Sequence, residues 1–243
     1  MAFKTKVDPF GIAAALTNAA CKATADGNSA SVAEARDENG TIVAHEVFGE
    51  VMAPSADYAV TGPIDADDGD IKLGAVTTYK EKRVVLTNLT INTSAGGEPT
   101  MSASGEEVEA SSDGTCPAKY SIPGFELGPC HHAKILFAAF SLSGIGCHLQ
   151  SANYTASCEN GKATVGGTVV AHGVYGAKIE CQVEIVQTSS TAPTLTAGTG
   201  WKVTSPLAET NPDAEYPTFS ATLEMPLEMD AEEAASSGTG TGA

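Results

Sequence analysis

Short runs in which Thr, Val and Ser alternate with apolar residues, broken by Gly, Asn, Asp and Pro, fill most of the chain and predict β-strands. Such runs lie at residues 41–51, 83–93, 99–104, 163–175, 178–187, 200–204 and 217–224. Asn39-Gly40 and Asn160-Gly161 predict hairpin turns, because both central residues of a type I′ turn need positive φ. Along the first run Thr41, Val43, His45 and Val47 share one face, and Ile42, Ala44, Glu46 and Phe48 the other. Both faces carry apolar groups, as in a strand covered on both sides. Residues 8–22 predict a short helix, with Asp8 as N-cap and Pro9 at the first helical position. Residues 132–142 form an apolar run too short for periodicity to choose between a second short helix and a buried strand. The expected class is mainly β, in tandem sandwich or barrel domains with one or two short helices.

An internal repeat organises these runs. Thr41-Ile42-Val43-Ala44-His45-Glu46-Val47-Phe48-Gly49 recurs as Thr168-Val169-Val170-Ala171-His172-Gly173-Val174-Tyr175-Gly176, an offset of 127. Pro99-Thr100-Met101-Ser102-Ala103-Ser104 recurs as Pro217-Thr218-Phe219-Ser220-Ala221-Thr222, an offset of 118. Two matches in the same order at nearly one offset predict a duplicated unit of about half the chain, too long for a solenoid repeat. The competing explanation is the general likeness of Thr/Val/Ala-rich strands. The expected division is a first β domain at 1–125, a second at 126–229, and a flexible acidic, Gly-Ser-Thr-rich tail at 230–243. Residues 52–82 and 105–128 predict long exposed loops of a length that is usually functional or interfacial.

Composition narrows the function. The 243 residues carry 13 Lys plus Arg against 30 Asp plus Glu, a formal net charge of −17. Phosphate backbones and anionic headgroups repel such a chain, so a grip on nucleic acid or a membrane surface is disfavoured. No run approaches the ~20 apolar residues that span a bilayer. Lys4 and Lys6 ahead of Phe10-Gly11-Ile12-Ala13-Ala14-Ala15-Leu16 and Ala19-Ala20-Cys21 outline a signal peptide or lipoprotein cleavage site. Asp8-Pro9, the shortness of the apolar run and Asn18 at the lipobox position count against it, and the chain is expected to be unsecreted. Six cysteines without a Cys-x-x-Cys fit small buried thiols, with one or two disulfides if the surroundings oxidise.

No catalytic motif is present: no nucleophile elbow, phosphate-binding loop, His-Glu-x-x-His or dinucleotide fingerprint. Cys130-His131-His132 with Cys147-His148 invites zinc. On a strand only Cys130 and His132, with one of Cys147 and His148, can converge, and the spacing fits no standard finger. Polar loop histidines and buried thiols account for the same residues. Asp65-Ala66-Asp67-Asp68-Gly69-Asp70 invites calcium, but its Gly comes one place early and Val76 stands where an EF-hand needs Glu, so a solvated acidic turn is the alternative. His45 and His172, placed alike in the repeat, have no fixed Asp, Ser or Cys partner and fit a sheet or subunit contact. The Asn-x-Ser/Thr triplets at Asn88, Asn92 and Asn153 matter only in a chain secreted by a eukaryote. No catalytic, cofactor or metal residue is expected, and the chain is expected not to be an enzyme.

Val84-Val85-Leu86-Thr87-Asn88-Leu89-Thr90-Ile91, followed by Pro99-Thr100-Met101-Ser102-Ala103-Ser104-Gly105, resembles tailed-bacteriophage virion proteins, tail tube proteins above all. So does the ending Trp201-Lys202-Val203-Thr204-Ser205 with Asn211-Pro212-Asp213-Ala214-Glu215-Tyr216-Pro217-Thr218-Phe219-Ser220-Ala221-Thr222-Leu223. The likeness is one of texture, in small Thr/Ser/Ala-rich strands and acidic loops, and it spans the strands of both halves. The long loops and the Cys/His-rich middle depart from a minimal tube protein. The resemblance implies β-sandwich or barrel domains of tail-tube type, self-assembling into stacked rings whose strands line a lumen. Rings would be hexameric, or trimeric where each chain carries two such domains. It implies a place in the virion, assembly in the bacterial host cytoplasm, and other tail proteins as partners. DNA would pass through during ejection without being specifically bound, along an acidic lumen that repels it. Loop 52–82 would meet the ring above or below, and edge strands would pair with neighbours. A head-decoration protein shares the composition. A carbohydrate-binding sandwich would present an aromatic platform, for which Trp201 is the only Trp.

Overall fold

The predicted runs pair edge to edge into one large antiparallel sheet. The structure, a computed structural model, describes residues 6–36, 41–108, 118–128, 136–165, 168–189, 191–211 and 215–230; the hairpin ends 29–36, 42–50, 162–165 and 168–172 are described by backbone pairing alone. One helical turn, α1 (Ile12–Ala15), is followed by β1 (Ala19–Arg36), β2 (Ile42–Val60), β3 (Ile64–Ala66), β4 (Lys72–Leu73), β5 (Val76–Tyr79), β6 (Lys82–Ser94) and β7 (Thr100–Glu107). Then come β8 (Tyr120–Ser121), β9 (Phe125–Leu127), β10 (Phe140–Ser143), β11 (Cys147–Val165), β12 (Thr168–Gln187), β13 (Thr194–Ala197), β14 (Lys202–Glu209) and β15 (Thr218–Pro226). The main sheet runs β1-β2-β7-β6-β11-β12-β15-β14, with β5 added to β6; β3–β9, β4–β8 and β10–β13 are two-stranded ribbons. The fold is mainly β, with almost no helix.

The order of the sheet is one four-strand pattern written twice: a long hairpin whose second strand pairs with the second strand of a shorter hairpin. The register repeats with it. Ala59 faces Thr100 in the first unit, and Val186 faces Thr218 in the second, the same pair moved by 127 and 118 residues. The bulges repeat too. Shifts at Cys21/Ala23, Ser29/Ser31 and Ala35/Arg36 in β1 reappear 128 residues on, at Leu149/Ser151, Ser157/Glu159 and Ala163/Thr164 in β11. A fourth, at Leu86/Asn88, reappears 117 residues on at Val203/Ser205. Its extra residue is a threonine each time, and each donates its hydroxyl to the facing strand: Thr87 Oγ1 to Ser104 O and Thr204 Oγ1 to Thr222 O, both 3.2 Å. Bulges are positional devices that bend a strand and re-aim its side chains, and chance likeness between strands does not reproduce four of them in register. The sequence repeat is a structural repeat. Its closing glycine explains itself in the second unit, where Gly176 takes φ 63 at the bulge between Lys178 and Tyr175.

Alternation sends one face of the sheet into the core. Leu89, Ile91, Met101, Ala152, Tyr154, Ile179 and Ile185 are buried in one cluster with Ile64, Leu73, Phe125, Leu127 and Phe140 from the ribbons, which cover that face. Phe125, Phe137, Tyr154 and Trp201 make a chain of ring contacts with centroids 5.0, 5.2 and 6.4 Å apart. Gly105 lets the sheet and the amino-terminal segment close up. A Cβ there would stand 1.9 Å from the Val85 carbonyl oxygen and 2.8 Å from Phe10 Cε1.

Several expectations are corrected. The helix expected over 8–22 is a single turn, with Gly11 rather than Asp8 as N-cap; Asn18 takes φ 69 and Ala19 enters β1, so pairing with β2 overrides local propensity. Asn160-Gly161 lies inside β11, facing Val174 and Gly173; Val165 pairs with Thr168, so Gly166-Gly167 separates the two strands. The runs at 163–175 and 178–187 therefore belong to β11 and a single β12. Residues 52–82 are no exposed loop, since β2 continues to Val60 and Ile64, Ile71 and Leu73 are buried. Likewise Tyr120, Ile122, Phe125 and Leu127 of 105–128 belong to the core. Of 132–142, the described part is a turn followed by β10. Asn39-Gly40 spans residues outside those described, between strands that pair from Arg36 and Ile42 onward.

Candidate functional site

The side chains of the second face of the large sheet follow from the same alternation. One row, traced by register from β1 to β14, reads Ala23, Asp57, Ser102, Thr90, Thr155, Glu180, Glu224, Lys202. The next reads Ala59, Thr100, Asn92, Asn153, Gln182, Thr222, Ser205. In these two rows the side chains are small or polar, and none is aromatic. Its polar groups bond to one another: Thr90 Oγ1 to Asn88 Oδ1 at 3.1 Å, Gln182 Nε2 to Glu180 Oε1 at 2.9 Å, and Ser151 Oγ to Glu184 Oε2 at 3.5 Å. A shallow concavity of about 510 Å³ opens on it between Ser151, Asn153, Gln182, Glu184, Thr210 and Thr222.

The charge of this face is negative. Asp57, Glu180, Glu184 and Glu224 stand against Lys178 and Lys202. Lys178 is already engaged: its Nζ lies 2.6 Å from Glu224 Oε2, and that hydrogen bond raises its pKa. Glu180 and Glu224 face each other directly across β12 and β15. Like charges so placed destabilise a sheet, and here Lys178 and Gln182 relieve them. A surface with this excess of carboxylates disfavours the approach of anions.

Other candidates resolve individually. Cys130, His131 and His132 lie outside the described residues. Cys147 and His148 are consecutive on β11 and point to opposite faces, so they cannot both serve one metal ion. The acidic turn folds onto the protein's own amides: Asp68 Oδ1 accepts Gly124 N at 2.5 Å and Asp70 Oδ2 accepts Asp67 N at 2.9 Å, while Gly69 takes φ 82. Among the described residues no group of three or more His, Cys, Asp or Glu is placed to hold a metal ion. His45 and His172 face Glu34 and Lys162 at equivalent register positions; their side chains lie outside those described. Cys21, Cys147, Cys158 and Cys181 are free thiols, and burial pushes Cys158 and Cys181 up to about 12, leaving them poor nucleophiles. Trp201 is 6% exposed and packs on Tyr154, so it forms no platform for a sugar ring.

No single Ser, Thr or Asn of the polar face carries a signal in the sequence. Alternation in 87–94 and 150–157 was the available clue, and it becomes a surface only when the strands are ordered. The chain matches no protein-family model and no curated protein. No helix among the described residues is long and apolar enough to cross a membrane.

Proposed function

We propose that this chain is a structural subunit of a bacteriophage virion, a tail tube protein whose rings turn the polar sheet face toward the lumen. The observation that carries the proposal is that face: a broad, small, acidic, internally hydrogen-bonded surface on a sheet built twice in one register. Phosphate is repelled by such a surface and finds few free donors on it, so duplex DNA would pass without adhering. The two halves, 1–125 and 126–229, would each take one place in a pseudo-sixfold ring of three chains. The role is non-enzymatic and needs no cofactor. Its setting is the virion, assembled in the bacterial host cytoplasm beside other tail proteins.

Negative-stain electron microscopy of the purified protein at rising concentration and salt tests this reading. Hollow rings or stacked tubes of three subunits per ring are expected. Compact monomers at every concentration, or decoration of capsids when these are supplied, would replace the tube reading with that of a head-decoration protein.

A further inference from the structure

The repeated architecture contains its own example of how one unit joins the next. Inside the chain, β6 closes the first unit and β11 opens the second, and they pair from Asn88↔Ser157 to Ser94↔Ser151. The strand equivalent to β6 in the second unit is β14, and the strand equivalent to β11 in the first is β1. Among the described residues β14 has β15 as its one strand neighbour in the sheet and β1 has β2, while Lys6 N donates to Cys21 O beside β1. The two ends of the sheet are therefore the two halves of a seam already made once.

The β14 edge bears the mark of a missing neighbour. Lys202, Val203, Thr204 and Ser205 are all exposed, without the alternation of a covered strand. Val203 is 43% exposed. An uncovered strand edge is a template for pairing, and the pairing that the chain uses internally fixes the register. We propose that the outer edge of β14 receives the outer edge of β1 from a second copy, with Thr210 facing Ala25 and Ala208 facing Gly27. These pairs are the images of Asn92↔Asn153 and Thr90↔Thr155. Pro206, which has no N–H to donate, falls between Ser205 and Ala208, where β14 already holds one extra residue. The contact is head to tail, so repetition closes a ring or extends a filament. This inference rests on the ring-forming reading above and supplies its interface.

Disulfide trapping between two full-length variants tests the register. A chain with Ala25→Cys is mixed with one carrying Thr210→Cys, oxidised, and the linked peptides are identified by mass spectrometry, which separates them from links through native thiols. Facing residues lie within the Cα range of a disulfide and residues two places off do not, so linkage should exceed that of an Ala23→Cys and Thr210→Cys mixture by about tenfold. Amide exchange of the unaltered protein, read in 23–28 and 202–210, should slow as concentration rises. In-register links with slowed exchange uphold the seam; if they accompany only open fibres, the seam stands and the tube reading falls. Rings without these links, or with links only in the shifted pair, overturn the seam and leave the tube reading intact. Monomers with unchanged exchange at every concentration overturn both.

Discussion

Asp8 holds three groups at once. Its carboxylate accepts Phe10 N at 2.9 Å, Ala13 N at 2.7 Å and the Tyr58 hydroxyl at 2.6 Å. Burial, and then the Asp8 contact, raise the Tyr58 phenol above its ordinary range, so it remains a donor at every physiological pH. Asp8→Ala should cost about 2–3 kcal/mol in urea unfolding, since it strands a buried hydroxyl as well as two amides. Asp8→Asn keeps an acceptor and should cost about 1 kcal/mol. The importance of Asp8 was legible in the sequence, but its geometry was not, because a capping signal describes a local helix and Tyr58 arrives from another strand. Asp230 makes a second residue-scale case. Burial would raise its pKa, but Lys72 Nζ at 2.7 Å and Ser121 Oγ at 2.8 Å outweigh it, and the value is lowered. A lowered folded-state value means stability that is full above the unfolded pKa of about 3.9 and lost as pH falls through the folded one. Acid unfolding should therefore begin at higher pH, or lose part of its slope, in Asp230→Asn, as pH-dependent denaturant midpoints would record.

At the scale of elements, the paired bulge threonines separate geometry from energy. Both make the same hydrogen bond, but Thr87 is half-buried and Thr204 exposed. Thr87→Val should cost about 1 kcal/mol, and Thr204→Val clearly less, because water replaces the lost bond only in the second case. The β5–β6 turn offers a gain instead. Lys80 and Glu81 take φ 50 and 66, in the left-handed region that suits Gly or Asn. Lys80 is retained by its ion pair with Asp26, so Glu81→Gly is the informative change. It should raise stability by about 0.5–1 kcal/mol in the same unfolding assay. Legibility differs between elements for a physical reason. β6, β7 and β15 alternate large apolar with polar residues and were visible in the sequence. Among the described residues β1 buries only Ala19 and Cys21, and β11 only Ala152, Ala156 and the larger Tyr154, so most of their core-facing positions resemble loop composition. The repeat was visible as two short strings; that it extends to every shared bulge was not, because register leaves no trace in residue identity.

For the whole molecule, the decisive quantity is the sign of the charge on the polar face. Net charge alone could not have located it, since a total of −17 can be distributed over any surface. On this face carboxylates outnumber ammonium groups, and Thr90 with Asn88 and Gln182 with Glu180 are bonded to one another. If that face lets DNA pass by repelling it, reversing its sign should create an adhesive surface without altering the fold. Asp57, Glu180, Glu184 and Glu224 are each changed to Lys, with circular dichroism confirming the β-sheet signal. Anisotropy of labelled duplex DNA should show no binding by the unaltered protein at low salt. The reversed protein should bind, and its affinity should fall linearly on a log–log plot against salt, with a slope near −0.9 for each phosphate neutralised. The four reversals placed instead on exposed acidic positions away from the sheet, such as Asp65, Asp67, Glu98 and Glu228, give the control. Equal binding by both variants would mean that only total charge matters and that the sheet face has no special part in DNA passage. Binding confined to the sheet variant would support the reading in which the acidity of this one surface keeps passing DNA from adhering.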